Sequence, residues 1–225
     1  IADSIRRDIQ SGVYEPGRHL GTIELAARFG VSRGPVREAL RLLESLNLVR
    51  VLPRRGAFVI APDDEELLQL LTIRTVLFAL TCELAAKAID KEGAKRLKQQ
   101  SLRLVELSAD AECSPRRFQN AEYDIAETLC DIAGIPRLTD MQRELTLGAA
   151  VAYGHLAVAT QDMRVLEARL FNAVIKAVCA GRAEEAFATA RKLNDEGIAR
   201  GVALAALAPR QQPSMELRGR RIRRQ

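Results

Sequence analysis

Two short helical patterns joined by a three-residue turn constrain the N-terminal part of this chain more than any other feature. The first helix is predicted over residues 23–29 with Thr22 as its N-cap, and Gly30 follows where a helix end favours a left-handed residue. Ser32 is the predicted N-cap of the second helix, which carries Pro35 in its first turn, where a missing N–H costs nothing. Two short helices joined by Gly-Val-Ser predict a helix-turn-helix.

The second helix of this motif is amphipathic and carries an arginine stripe. It is predicted to extend to about Leu46 and to bury the apolar side chains of Val36, Leu40, Leu43 and Leu46. Arg33, Arg37 and Arg41 recur every four residues on another face. Such a stripe on its own is usually a solvated surface, but this one begins at the helix end that contacts base edges in helix-turn-helix proteins. The pattern therefore favours binding to double-stranded DNA.

A β-hairpin is predicted directly after this helix. Two β-branched runs, at residues 48–52 and 57–60, flank a turn over residues 53–56 that ends at Gly56. Arg54 and Arg55 lie at the tip of the turn, where they would face a groove or the phosphates. Residues 1–62 are thus predicted to form a winged helix-turn-helix DNA-binding domain with three helices and a hairpin wing.

The net charge of +5 is unevenly distributed along the chain. Residues 1–60 carry a balance of +4, residues 61–208 a balance of −4, and residues 209–225 a balance of +5. A basic start and a basic end indicate where a polyanionic partner would bind. The segment 209–225 is predicted to be a flexible tail, with a phosphate-binding arm as the alternative.

Residues 63–208 carry one helical pattern after another. The pattern breaks near residues 90–93, 110–115, 134–136, 159–163 and 180–182, which predicts an antiparallel bundle of about six helices. The expected fold is mainly α: a winged helix-turn-helix followed by an all-α bundle for effector binding and dimerisation. The sequence contains no nucleophile elbow, P-loop, dinucleotide fingerprint or HExxH motif, so an enzyme is not expected.

The sequence shows no targeting or membrane signal that would place the protein outside the cell. The N-terminus lacks a basic segment followed by an apolar stretch, so no signal peptide is expected. The longest weakly polar stretch, residues 145–160, is too short to span a bilayer. We therefore expect a cytoplasmic protein without a membrane partner.

The run from Gly30 to Leu43 (GVSRGPVREALRLL) and the wing sequence from Arg55 to Val59 (RGAFV) resemble the DNA-binding domain of GntR-family transcriptional regulators. The resemblance implies a regulator, expected to be a repressor, that binds a palindromic operator as a homodimer. It also implies that the residues matching the family's DNA contacts lie against DNA, namely Ser32, Arg33, Gly34, Arg37 and Gly56. The family often has a basic residue where this chain has Ile23, so no contact is expected there.

The helical part resembles the effector-binding domain of the FadR-like branch of the same family. Members that hold a divalent metal use an Asp, a His four residues later, and two His on later helices. In this sequence those positions fall on Glu122, Ala126, Phe171 and Leu193, which supply one carboxylate and no imidazole. We therefore expect an effector pocket with no metal and no cofactor.

Arg74 lies within the apolar face of the first helix of the predicted bundle. A guanidinium in a bundle interior needs a partner or water, so Arg74 either pairs with Glu122 or lines a cavity for an acidic ligand. His155 is read either as a satisfied core histidine or as a ligand contact. The predicted effector-binding residues are Arg74, Glu122, Ala126, His155, Phe171 and Leu193, and the predicted effector is an organic acid or an amphipathic metabolite. The alternative is a helical domain that only dimerises and has no inducer.

Overall fold

The N-terminal sixty residues fold around three helices, as the sequence predicts. The protein is represented by a computed structural model, which describes residues 1–10, 12–53, 55–61, 64–147 and 154–207. The helices are α1 (Ala2–Gln10), α2 (Thr22–Phe29) and α3 (Arg33–Ser45). Their apolar positions, spaced three or four residues apart, meet in one cluster that includes the fully buried Ile5, Leu25, Val36 and Leu43.

The predicted hairpin forms and gains a third strand. Strands β2 (Val49–Leu52) and β3 (Gly56–Val59) pair antiparallel, and a two-residue strand, β1 (His19–Leu20), pairs with the other edge of β3. The strand order is β1-β3-β2. A two-residue strand carries no alternation of apolar and polar residues, which is why the sequence pattern gave no sign of β1.

The turn between α2 and α3 confirms one predicted cap and corrects two. Gly30 has a φ of +64° and ends α2 in the left-handed conformation, as expected. Thr22 is not the N-cap of α2, because the helix already begins at Thr22 and Gly21 occupies the cap position. Ser32 stands at the N-cap position of α3, but its hydroxyl makes no capping hydrogen bond. This hydroxyl therefore has no role inside the helix that it precedes.

The described part of the helical region contains six α-helices and one short 3-10 helix, in agreement with the predicted bundle. Short connections separate most of the helices, and side chains of Asp90, Ser114 and Thr160 cap three of them by accepting backbone N–H bonds. The helices are α4 (Asp64–Ala88), α5 (Lys91–Ala109), α6 (Pro115–Ala133), α7 (Pro136–Leu147), α8 (Gln161–Cys179) and α9 (Ala183–Leu207), with the 3-10 helix at His155–Val158.

The helical region has its own hydrophobic core, separate from that of the N-terminal region. Its cluster extends from Phe78 on α4 to Leu193 on α9, with Phe118 fully buried on α6. Helix α4 packs along α9 and also contacts α6, α7 and α8. The stretch Glu65–Ala88 is long and apolar enough to cross a membrane, with a mean hydropathy of 1.6 in an 18-residue window of which 28% is buried. Such a stretch also occurs in the packed helices of soluble proteins, and here α4 packs against four other helices.

Some sequence-based predictions concern residues that the structure does not describe. They are the wing-tip contact of Arg54, the domain boundary at residues 62–63 and the basic tail at residues 209–225. The two clusters described above are compatible with a division at that boundary. The division into two domains and a tail stays a prediction.

Candidate DNA interface and effector pocket

The first turns of α3 present exposed arginines, as the helical pattern predicts. Val36, Leu40 and Leu43 face the core, whereas Arg33 and Arg37 are exposed on the other side. Among the described residues, no carboxylate forms an ion pair with Arg33 or Arg37. Arg41 differs, because its guanidinium lies 3.3 Å from Glu38 on the same helix. The two arginines nearest the N-terminal end of α3 are therefore available to an external anion.

Gly34 and Pro35 lie between these arginines and are exposed as well. A Cβ added to Gly34 would have Ser32 Oγ, 4.0 Å away, as its nearest neighbour. The fold therefore leaves room for a side chain at Gly34, although glycine inside a helix costs about 1 kcal/mol relative to alanine. A glycine that the chain does not need for its own packing is typical of a place where another molecule approaches the backbone.

The wing is organised around a histidine that the sequence analysis did not include among the site residues. The Nε2 atom of His19 lies 3.0 Å from the carbonyl oxygen of Arg55, next to the tip of the hairpin. The φ of Gly56 is +84°, and a Cβ added there would lie 2.6 Å from His19 Nε2. The glycine predicted from the wing sequence is thus required by the turn and by the imidazole beside it.

A second missed residue, Arg28, holds α2 against α1. Its guanidinium lies 2.6 Å from an Asp8 carboxylate oxygen and donates a hydrogen bond of 2.6 Å to the hydroxyl of Tyr14. The hydrogen bond to Asp8 is the largest of the effects that raise the pKa of Arg28. These partners are separated by 14 or more residues in sequence, and no local pattern marks them. Arg28 is therefore occupied within the protein, unlike Arg33 and Arg37.

The helical region contains a pocket lined by five of the six predicted effector residues. Arg74, Glu122, Ala126, Phe171 and Leu193, contributed by α4, α6, α8 and α9, line a cavity of about 620 Å³ that includes its open mouth. The remaining lining residues are Phe78, Tyr123, Glu127, Cys130, Gln142, Arg143, Glu167 and Asn194. The structure thus brings together residues that are up to 119 positions apart in the chain.

Arg74 and Glu122 both line this pocket, but they do not form the ion pair that was one of the two expectations. Within the described residues, the ion pairs of the pocket are Arg143 with Glu127 and Arg200 with Glu167. The Oε1 atom of Glu122 is buried and has no hydrogen-bond partner in the part of the chain that the structure describes. Burial raises the pKa of Glu122 to about 8, although Arg74 and Arg200 act in the opposite direction. Glu122 is therefore mostly neutral at pH 7 and does not balance the charge of Arg74.

Hydrogen bonds fix the polar side chains around the pocket. Arg143, at the mouth, makes two hydrogen bonds of 3.1 Å and one of 2.6 Å to the carboxylate of Glu127. The amide of Gln119 donates to the hydroxyl of Tyr123 across 2.7 Å. Burial is the main cause that raises the pKa of Tyr123 to about 12, so this phenol stays neutral. Glu127, Tyr123 and Arg143 are therefore held in place by these contacts.

The structure places His155 away from this pocket lining. His155 begins the 3-10 helix and is half-buried, whereas the other five predicted effector residues share the cavity. The metal positions of the family offer a poor donor set here, because Glu122 is the only one of the four with a ligating group and its carboxyl is mostly protonated. The described residues contain no group of three His, Cys, Asp or Glu arranged to hold a metal. The side chains at this site do not fit a divalent cation.

One side chain connects the surroundings of the pocket with the N-terminal region. Arg116, in the first turn of α6, lies against the loop after α1, where a Cβ on Gly12 would be 2.0 Å from its Nη2 atom. Burial lowers the pKa of Arg116, and Tyr123 and Glu15 act in the opposite direction. Arg116 is thus within electrostatic range of a pocket residue and of a loop residue.

A sequence model for bacterial regulatory proteins of the gntR family matches residues 1–59, which include α1 to α3 and the wing. Residues 1–59 form a GntR-type helix-turn-helix region. The chain is 35% identical over 108 residues to the gluconate operon transcriptional repressor of Bacillus subtilis (strain 168), covering 48% of this chain and 44% of that protein. It is 28% identical over 215 residues to the HTH-type transcriptional regulator YieP of Escherichia coli (strain K12), covering 86% of this chain and 90% of that protein.

Solved structures support the fold of about nine tenths of the chain. The E. coli protein McbR/YncC matches with a TM-score of 0.79 and 20% identity, covering 91% of this chain and 96% of that one. A GntR transcriptional regulator from Rhodococcus sp. RHA1 matches with a TM-score of 0.72 and 20% identity, covering 90% and 95%. The matches to the first curated relatives span less than half of their length. The matched family and relatives are transcriptional regulators, in agreement with the expectation of a regulator and not of an enzyme.

Proposed function

We propose that this protein is a cytoplasmic transcriptional repressor that binds an inverted-repeat operator as a homodimer and responds to an anionic effector. The observation that carries the DNA-binding part is the pair of exposed arginines, Arg33 and Arg37, at the start of α3 with no carboxylate partner among the described residues. Gly34 between them lets the helix backbone approach a surface closely. Arginine in this position can make bidentate hydrogen bonds to guanine in the major groove.

The repressor function is tested by selecting bound sequences from random DNA duplexes and measuring affinity for the selected duplex. The parent protein is expected to select an inverted repeat, because the two symmetric N-terminal regions of a dimer bind two half-sites. Replacing Arg33 and Arg37 together with alanine should weaken binding by about thirtyfold or more, since each bidentate contact to a base contributes about 1–3 kcal/mol. Arg103→Ala removes an exposed arginine of α5 and is the matched control. Unchanged binding of the double variant would disprove base reading by α3.

The effector part of the proposal is supported by the electrostatics of the pocket. Arg74 is charged, whereas the carboxyl of Glu122 is mostly neutral at pH 7. Two other carboxylates of the lining are paired with arginines, Glu127 with Arg143 and Glu167 with Arg200. Phe78 and Phe171 lie in edge contact, with their ring centroids 6.2 Å apart, and form an apolar wall. A carboxylate with an apolar body fits both features.

Thermal-shift measurements with a panel of organic acids, each beside its uncharged amide, test this effector class. We expect at least one acid to stabilise the protein while its amide does not, because only the acid compensates the charge of Arg74. Arg74→Gln should abolish the shift, whereas Arg103→Gln should leave it unchanged. If no acid produces a shift, the helical region has no such effector. The protein would then be a DNA-binding regulator whose helical region only dimerises, which is the alternative function.

A further inference from the structure

We propose that His19 is a positioning residue for DNA binding, which holds the backbone of Arg55 and thereby orients the wing. The inference rests on the DNA-binding function proposed above and concerns a residue outside the recognition helix. Three observations carry it: a hydrogen bond to the wing turn, a glycine that makes room for the imidazole, and the arrangement of the three strands. Each of them involves a different part of the wing.

The hydrogen bond connects residues that are 36 positions apart. His19 Nε2 lies 3.0 Å from the carbonyl oxygen of Arg55. A carbonyl oxygen can only accept, so Nε2 must carry the hydrogen, which is true of one neutral tautomer and of the imidazolium. The contact can therefore persist in either protonation state of the ring. It fixes the carbonyl of the residue whose guanidinium lies at the wing tip.

The turn provides the space that the imidazole occupies. Gly56 has a φ of +84°, and any Cβ there would lie 2.6 Å from Nε2 and 3.4 Å from Cδ2 of His19. Phe58 lies opposite His19 in the β1–β3 pair, and its ring centroid is 4.9 Å from that of His19. The imidazole thus lies between the backbone of the turn and an aromatic side chain of β3.

The strand order explains why such a contact is needed. Strand β1 pairs with β3, and β2 lies on the far side of β3. The backbone closes the turn with one hydrogen bond, from the N–H of Arg55 to the carbonyl of Leu52, at 3.1 Å. The His19 side chain reaches from β1 to the turn between β2 and β3. It therefore connects the wing tip to the body of the N-terminal region, which reduces the conformational freedom that DNA binding would otherwise remove.

Anisotropy titrations of a short fluorescein-labelled duplex of mixed sequence, at several salt concentrations, test this role. His19→Ala is expected to weaken binding by roughly two- to tenfold, the range that corresponds to one hydrogen bond. His19→Gln should bind nearly as well as the parent, because its amide can still donate to the Arg55 carbonyl. In an Arg55→Ala background, His19→Ala should cause no further loss, since His19 acts through Arg55. Thermal unfolding of each variant checks that it is folded.

Other outcomes would overturn the proposal in recognisable ways. If His19→Ala weakens binding equally with and without Arg55, His19 contacts the phosphates itself and is not a positioning residue. Binding of His19→Ala at parental affinity would mean that the contact has no part in DNA recognition. If the parent protein binds no DNA, the proposed function fails, and amide hydrogen exchange then tests the contact between His19 and Arg55 on its own. Amide exchange at Arg55 and Gly56 should be faster in His19→Ala, and unchanged exchange would show that His19 does not hold the wing turn.

Discussion

Glu122 is the residue whose environment differs most from that of a surface carboxylate. Its pKa changes from an ordinary value of 4.5 to about 8 in the folded protein because of burial. Between these values the folded state binds more protons than the unfolded state, so the free energy of unfolding decreases as pH rises from about 4.5 to about 8. The contribution is complete below about 4.5 and is lost as pH rises through about 8, with a slope of at most about 1.4 kcal/mol per pH unit.

Glu122→Gln should remove this dependence, because the amide resembles the protonated acid and does not ionise. Urea unfolding of parent and variant at about pH 6 and about pH 9 measures the difference. We expect the variant to gain stability relative to the parent as pH rises. Glu106→Gln, on the exposed side of α5, is the control and should follow the parent. A parent-to-variant difference that is the same at both pH values would contradict the assigned ionisation.

At the scale of single residues, sequence reasoning was effective where one helix determines the answer. The four-residue spacing of Arg33 and Arg37 was sufficient to predict that both are exposed, because Val36 and Leu40 must face the core. It could not determine the partner of Arg74. That outcome depends on the spacing between α4 and α6 and on Arg200, which pairs with Glu167 on a third helix. His19 was missed for the same reason, since its partner is 36 residues away.

At the scale of elements, Gly34 in α3 is expected to matter for DNA binding and not for the stability of the helix. Gly34→Ala introduces a methyl group whose nearest contact, outside the adjacent residues and the helix's own backbone, is Ser32 Oγ at 4.0 Å. Alanine is also favoured over glycine in a helix by up to about 1 kcal/mol. We expect the variant to be at least as stable as the parent but to bind DNA more weakly, because the methyl group would stand between the helix and the bases. Thermal unfolding and anisotropy measure the two effects.

Gly30→Ala provides the contrast within the same motif. Gly30 has a φ of +64°, so a side chain there is strained although nothing lies within 4 Å of its Cβ position. This variant should lose stability. If Gly34→Ala also loses stability, or keeps full DNA affinity, the glycine serves the fold and not the interface.

At the scale of the whole molecule, α4 exposes apolar side chains that a second copy of the chain would cover. Leu68, Ile73 and Val76 are 43%, 50% and 45% exposed. Ile73 and Val76 lie on one side of the helix, opposite the buried Phe78 and Cys82. We expect Ile73→Glu to convert the proposed dimer to a monomer in sedimentation experiments and to weaken operator binding. Val105→Glu, at a 42% exposed position on α5, is the matched control. A dimeric Ile73→Glu protein would place the interface elsewhere.

Arg116 has a consequence for how such a protein can change over generations. It touches the loop at Gly12 and lies near Tyr123, yet it belongs neither to α3 nor to the pocket lining. In the proposed effector-responsive repressor, we expect substitutions at Arg116 or Glu15 to change the coupling between the two regions without changing operator or ligand preference. Selection could then adjust the sensitivity of such a response independently of the ligand and of the controlled gene.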